Sequence, residues 1–162
     1  MVIISDKMRI QEAIYEISEL QKEINKLRSE LFKGYHGPIQ VNNEVIDTSD
    51  LYESFNDKLG KIQELMGRLV KLKGKVQKAN LETQVEGMSV TEALVKVKEL
   101  RSLYNTLEVG YYSPSTSIEN VGVVKYGMFN DGHYRKTMEE LRQQINTLSQ
   151  AIDLVNSTTM ID

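Results

Sequence analysis

Between Gly110 and Arg135 the sequence gathers Tyr111, Tyr112, Lys125, Tyr126, His133, Tyr134 and Arg135 into one glycine-punctuated stretch. Tyrosine rings stack on planar ligands, ammonium and guanidinium groups hold phosphates, and the flat guanidinium fork meets two oxygens at once. Binding residues also concentrate in loops carried by rigid scaffolds. These types in this order predict a pocket for a small anionic molecule, with a nucleotide as the leading candidate and Arg135 as the first choice for its phosphate. Lys71 and Lys75, from a preceding cationic segment, are expected to add positive charge, and a second chain to complete the pocket. The plainer alternative is that the tyrosines pack a hairpin.

Other chemistries find less to work with. His36 and His133 both sit in glycine-flanked loops beside a tyrosine, where an imidazole can titrate near neutrality, yet two histidines make a poor metal site. The serines fall in helix caps and in Ser113–Ser117, without a base nearby to activate them. Gly122-Val123-Val124-Lys125-Tyr126-Gly127 lacks the glycine pattern and the Lys-Ser/Thr ending of a phosphate loop. The reading is therefore of a non-enzyme with no catalytic residues, no metal and no cofactor.

Composition narrows the classes further. A net charge of −3 over 162 residues argues against a general nucleic-acid binder, which needs a cationic surplus against phosphates. The absence of cysteine removes disulfides, thiolate nucleophiles and cysteine-ligated zinc, and fits a reducing compartment. Met1-Val2-Ile3-Ile4 is too short for a signal segment, and no apolar run reaches the roughly 18 residues that span a bilayer. A cytoplasmic protein without membrane partners is expected.

The elements that must position the candidate residues are helical. Asp50 to Asn80 reads as one helix of roughly 45 Å, with an apolar seam of Phe55, Leu59, Ile62, Met66, Leu69 and Val76 broken at Lys73. Gly60, Gly67 and Gly74 recur every seven residues along it, so a close approach by another helix or a ligand is expected on that stripe, bordered by Lys61, Arg68 and Lys75. Before it, with Ser5 as N-cap, Ile10, Ala13, Ile17, Leu20, Ile24, Leu27 and Leu31 give the clearest helix. Its glutamates, Glu16 and Glu23 among them, are available to pair with the basic row. Ile39–Val41 and Glu44–Ile46 around Asn42-Asn43 predict a hairpin. Ser89-Val90-Thr91-Glu92 is a capping box opening a third helix, Val121–Phe129 is β-prone and expected to pair with that hairpin, and a fourth helix follows Asn130-Asp131-Gly132 with a seam from Met138 to Val155. The fold class is mainly α: four long, antiparallel, coiled-coil-like helices in a single domain over 1–162, with a hairpin insertion near 38–46 and a β-prone loop over 110–132. The helices share periodicity without a repeat strong enough to claim a duplication.

Asn80-Leu81-Glu82-Thr83, Gly87, and Val90-Thr91-Glu92-Ala93-Leu94, then Val124-Lys125 and Leu148–Asn156, resemble the septicolysin-like family of small bacterial and phage coiled-coil proteins. The resemblance implies a helical homo-oligomer. Two functional readings follow. One is a non-enzymatic oligomer that sequesters a small nucleotide, such as a phage sponge for a defence signal. The other is a coiled-coil interaction module whose heptad faces bind copies of itself or a partner helix.

Overall fold

The computed structural model describes residues 7–111, 115–127 and 131–162. In chain order these form β1 (Met8–Arg9), α1 (Ile10–Glu30), β2 (Gln40–Val41), β3 (Glu44–Val45), α2 (Ser49–Glu82), β4 (Gln84–Val85) and β5 (Met88–Ser89). Then come α3 (Val90–Gly110), β6 (Ser115–Ile118), β7 (Gly122–Lys125), α4 (Asp131–Thr158) and β8 (Met160–Ile161). The fold is mainly α, as its periodicity dictates, and no helix among the described residues is long and apolar enough to cross a membrane. Contacts gather the chain into two compact units, Met1–Ala79 with Thr159–Asp162, and Asn80–Thr158.

In the first unit α1 and α2 run antiparallel: Glu16 pairs with Arg68 at 2.9 Å and Glu23 with Lys61 at 3.4 Å, so rising numbers on one helix meet falling numbers on the other. The core joins Ile10, Ala13, Leu20 and Ile24 of α1 to Leu65, Leu72, Val76 and Ala79 of α2. The α2 seam thus runs Ile62, Leu65, Leu69, Leu72, Val76, Ala79, unbroken. Leu65 takes the place expected for Met66, and Leu72 fills the gap expected at Lys73. Taking Ile62 as heptad position a, Gly60, Gly67 and Gly74 fall at f, directly away from the seam. All three are exposed, and a Cβ added to any of them meets nothing within 4 Å. The expected close approach to the glycine stripe does not occur among the described residues. The basic row falls at g, flanking the seam, which is why Lys61 and Arg68 reach the glutamates of α1.

The hairpin near 38–46 forms as its turn residues require. Gln40 pairs with Val45 and Val41 with Glu44, while Asn42 and Asn43 take φ of +50° and +64°, the paired left-handed conformations of a two-residue turn. A second hairpin, β4 with β5, turns on Glu86 and Gly87 (φ +48° and +79°), where the sequence suggests only a break. The strands β6 and β7 pair with each other, not with the first hairpin, and β6 occupies part of the segment read as loop. The expected N-cap Ser5 lies outside the described residues. α1 begins at Ile10 after Arg9, whose N–H donates to Glu12 Oε2 at 2.8 Å.

The second unit repeats the first. Met8, Ile10, Glu12, Ala13, Ile17, Glu19 and Leu20 stand eighty residues before Met88, Val90, Glu92, Ala93, Val97, Glu99 and Leu100. The seam of α2 stands seventy-six residues before Met138, Leu141, Ile145, Leu148, Ile152 and Val155 of α4. Bonds repeat as well. Ser89 N–H donates to Glu92 Oε2 at 2.7 Å, as Arg9 does to Glu12. Val90 N–H donates to Thr83 O at 3.0 Å, and Ile10 N–H to Thr159 O at 3.0 Å. Val85 of β4 enters the α3–α4 core, and Ile161 of β8 enters the α1–α2 core. Even the buried amide oxygens without a protein hydrogen-bond partner, Asn80 Oδ1 and Asn156 Oδ1, occupy equivalent places. The chain is a duplicated helix–hairpin–helix, contrary to the expectation of no repeat.

Candidate functional site

Each repeat carries an aromatic cluster at its hairpin end. In the second unit Tyr111 follows α3, and α4 opens at Asp131, one turn before Arg135. Tyr111 Oη donates to Asp131 Oδ1 at 2.7 Å and Arg135 Nε donates to Asp131 Oδ2 at 2.8 Å. The rings of Tyr111 and Tyr134 stack with centroids 5.4 Å apart, Arg135 lies 5.2 Å from the Tyr111 centroid, and Tyr134 Oη donates to Leu107 O. The Tyr111 hydrogen bond, then that of Arg135, holds the Asp131 carboxyl below its ordinary value. The same bond to Asp131 pushes the Tyr111 phenol up.

This arrangement satisfies itself. A cavity of about 260 Å³ lies beside it, lined by Tyr104, Glu108, Tyr111, Arg135, Met138 and Glu139. A phosphate entering there meets the carboxylates of Glu108 and Glu139, and Arg135 is already paired with Asp131. Of the residues expected to form an anion pocket, Tyr111 and Arg135 are brought together. Lys125 ends β7, near enough for its charge to lower Asp131 slightly, and Tyr126 is exposed just beyond it. His133 lies in the first turn of α4, its carbonyl accepting from Thr137 Oγ1 at 3.1 Å. Lys71 and Lys75 are exposed on the α2 segment of the first unit. Tyr112 lies outside the described residues. Among the described residues no group of three or more His, Cys, Asp or Glu side chains is placed to hold a metal ion.

The first unit is built differently at the same end. α1 stops at Glu30, Gly34 turns the chain at φ +83°, and Pro38 leads into the β2–β3 hairpin, whose Ile46 N–H donates to Ile39 O at 3.0 Å. Asp47 then caps α2, Oδ1 accepting from Ser49 Oγ at 2.5 Å and Ser49 N–H at 3.0 Å, bonds that lower its carboxyl. Between these pieces lies a cavity of about 350 Å³ lined by Phe32, Gly34, Tyr35, His36, Gly37, Pro38, Ile39, Thr48, Leu51, Tyr52 and Phe55. Its rings support one another. Phe32 lies 5.8 Å from His36 and 5.9 Å from Phe55, and Tyr35 meets Phe55 edge-on at 5.6 Å. Tyr35 Oη is 2.8 Å from Ser54 Oγ, and Lys58 Nζ stands 5.1 Å from the Tyr35 ring centroid.

This pocket is not apparent from the sequence, where His36 reads as a turn residue and Phe55 as the start of a seam. The available signal was the clustering of Phe32, Tyr35 and His36 just before a hairpin and of Tyr52 and Phe55 just after it.

No protein-family model and no curated protein matches the chain. Among solved structures, the chain is similar to a functionally unknown conserved protein from Corynebacterium diphtheriae, at 21% identity and a TM-score of 0.69, covering 97% of this chain and 100% of that one. At that identity the likeness speaks for the fold alone.

Proposed function

We propose that the chain is a non-catalytic binding protein that holds a small planar molecule in the aromatic pocket of its first unit and releases it chemically unaltered. The observation that carries this reading is the comparison of the two repeats. Both contain the helix–hairpin–helix scaffold; the described residues at this end of one form a tyrosine stack and an ion pair, whereas those of the other surround about 350 Å³ with Phe32, Tyr35, His36, Tyr52 and Phe55. A cavity of this size, apolar with few polar groups, falls within the range of small-ligand sites, about 300–1,000 Å³.

A thermal-shift panel of nucleotides and neutral aromatics, followed by calorimetry, tests the proposal. Tyr52→Ala is expected to abolish binding without loss of fold, because Tyr52 is exposed at the rim, and Arg135→Ala is expected to leave binding intact. Loss of binding in Arg135→Ala alone would move the site to the second unit and favour the anionic-nucleotide sponge. Cleavage of the ligand, or no binding below millimolar, refutes the binder.

One observation favours self-association as a second reading. Ile14 and Leu94, at equivalent positions, are each 45% exposed and are followed by exposed Tyr15 and Val95. Each first helix of a repeat thus presents an apolar pair to solvent, a duplicated contact that fits a helical oligomer. Light scattering at tens of micromolar decides it, a clean monomer refuting the reading.

A further inference from the structure

The lining of the first-unit pocket also restricts what it accepts. Among the described residues that line it there is no lysine, arginine, aspartate or glutamate. The cation near it, Lys58, stands against the Tyr35 ring and is not part of the wall. The Tyr35 hydroxyl is engaged with Ser54, and the other lining residues with polar side chains are Thr48, Tyr52 and His36. A carboxylate or phosphate moved into such a lining loses its hydration and meets no lysine or arginine in the described wall, which is unfavourable. An uncharged ring loses only apolar contact with water, gains offset or edge contacts with the Phe32, Phe55 and Tyr52 rings, and can exchange one or two hydrogen bonds with Thr48 or His36.

Resting on the pocket as the binding site, we propose that its ligand is an uncharged one- or two-ring heteroaromatic, and that the pocket discriminates against the same ring bearing an anionic group. The charge match is thus opposite to the one that the tyrosine and arginine cluster of the second unit suggests from sequence. Thr48 is the specificity-determining side chain, because it is the lining residue that joins a hydroxyl able to donate and accept to an apolar methyl.

Calorimetry on the full-length protein with two matched probe pairs tests this: indole against indole-3-acetate, and adenosine against adenosine 5′-monophosphate. The neutral member of at least one pair is expected to bind at least tenfold more tightly than its anion. That gap is expected to persist in Arg135→Ala, to vanish with binding itself in Tyr52→Ala, and to be kept in Tyr52→Phe, which retains the ring. Thr48→Val is expected to weaken the neutral probe several-fold with an unchanged melting temperature. Equal or tighter binding of both anions overturns the selectivity while leaving the site in place. If neither pair binds but another member of the aromatic panel does so in a Tyr52-dependent way, the ligand class is wrong and the site stands. If no panel member shows Tyr52-dependent binding, the site reading itself fails.

Discussion

The two hairpin ends of the molecule are an internal experiment in what a scaffold demands and what it leaves free. In the repeat register Phe55 corresponds to Asp131, Lys58 to Tyr134 and Leu59 to Arg135. With these three differences on one helix, the described residues of the second end form an ion pair and a tyrosine stack where the first has the Phe55 ring. The seams beneath are unaffected, because they are set by heptad spacing and by the strand-borne residues Val85 and Ile161. The packed seams and the aromatic clusters therefore occupy different stretches of each helix pair.

The largest test of that separation is in the seams. Leu72→Ala and Leu148→Ala occupy equivalent buried positions, 7% and 2% exposed, and each is expected to cost about 2–5 kcal/mol in chemical denaturation. A cost in one repeat and none in the other would break the claim of a shared scaffold. A smaller difference lies at the caps. Ser89 Oγ accepts from Glu92 N–H at 3.2 Å, whereas Arg9 offers no such acceptor, so Ser89→Ala is expected to cost about 1 kcal/mol and Arg9→Ala little. On the solvent side of α2, Gly67→Ala is expected to stabilise by about 0.5–1 kcal/mol, since helix propensity improves and nothing is displaced. A fall in midpoint would instead reveal a partner on that face.

The smallest effects are in pH, and they separate the two ends. Asp131 is held below its ordinary value of 3.8, so its contribution is present above 3.8 and lost as pH falls through the folded value. Asp47 gives the first unit a similar acid limb. Tyr111 is raised above 10.0, so its contribution is present below 10.0 and lost as pH rises through the folded value. Denaturation midpoints are thus expected to fall slightly at alkaline pH, and Tyr111→Phe is expected to remove that limb.

What was legible in the sequence was local. The α1 seam, the Asn42-Asn43 turn and the Ser89 capping box follow from spacing and from side chains acting over three or four residues. The α2 register was misread because Met66 is as apolar as Leu65, and only packing chooses between adjacent candidates. The 84–89 hairpin escaped because Glu86 in a left-handed conformation carries no turn signature. Pairing of Met8 with Ile161 joins residues too distant for any local rule. The repeat was hidden by its unequal spacing, eighty residues between first helices and seventy-six between second ones, with the hairpins between them diverged. The pocket failed to register for a related reason: its rings come from both sides of a hairpin, and only the turn brings them together.

The pairing of β1 with β8 has a topological consequence. Ile161 faces Met8 as Val85 faces Met88, so Asp162 and Lys7, already 3.5 Å apart as an ion pair, stand where Glu86 and Gly87 stand in the other hairpin. The two hairpins thus share one strand register, with a peptide turn beside the paired strands of one and a salt bridge beside those of the other. This pairing therefore does not depend on a turn: a chain cut between Glu86 and Gly87 is expected to keep Val85 against Met88, as Ile161 stands against Met8.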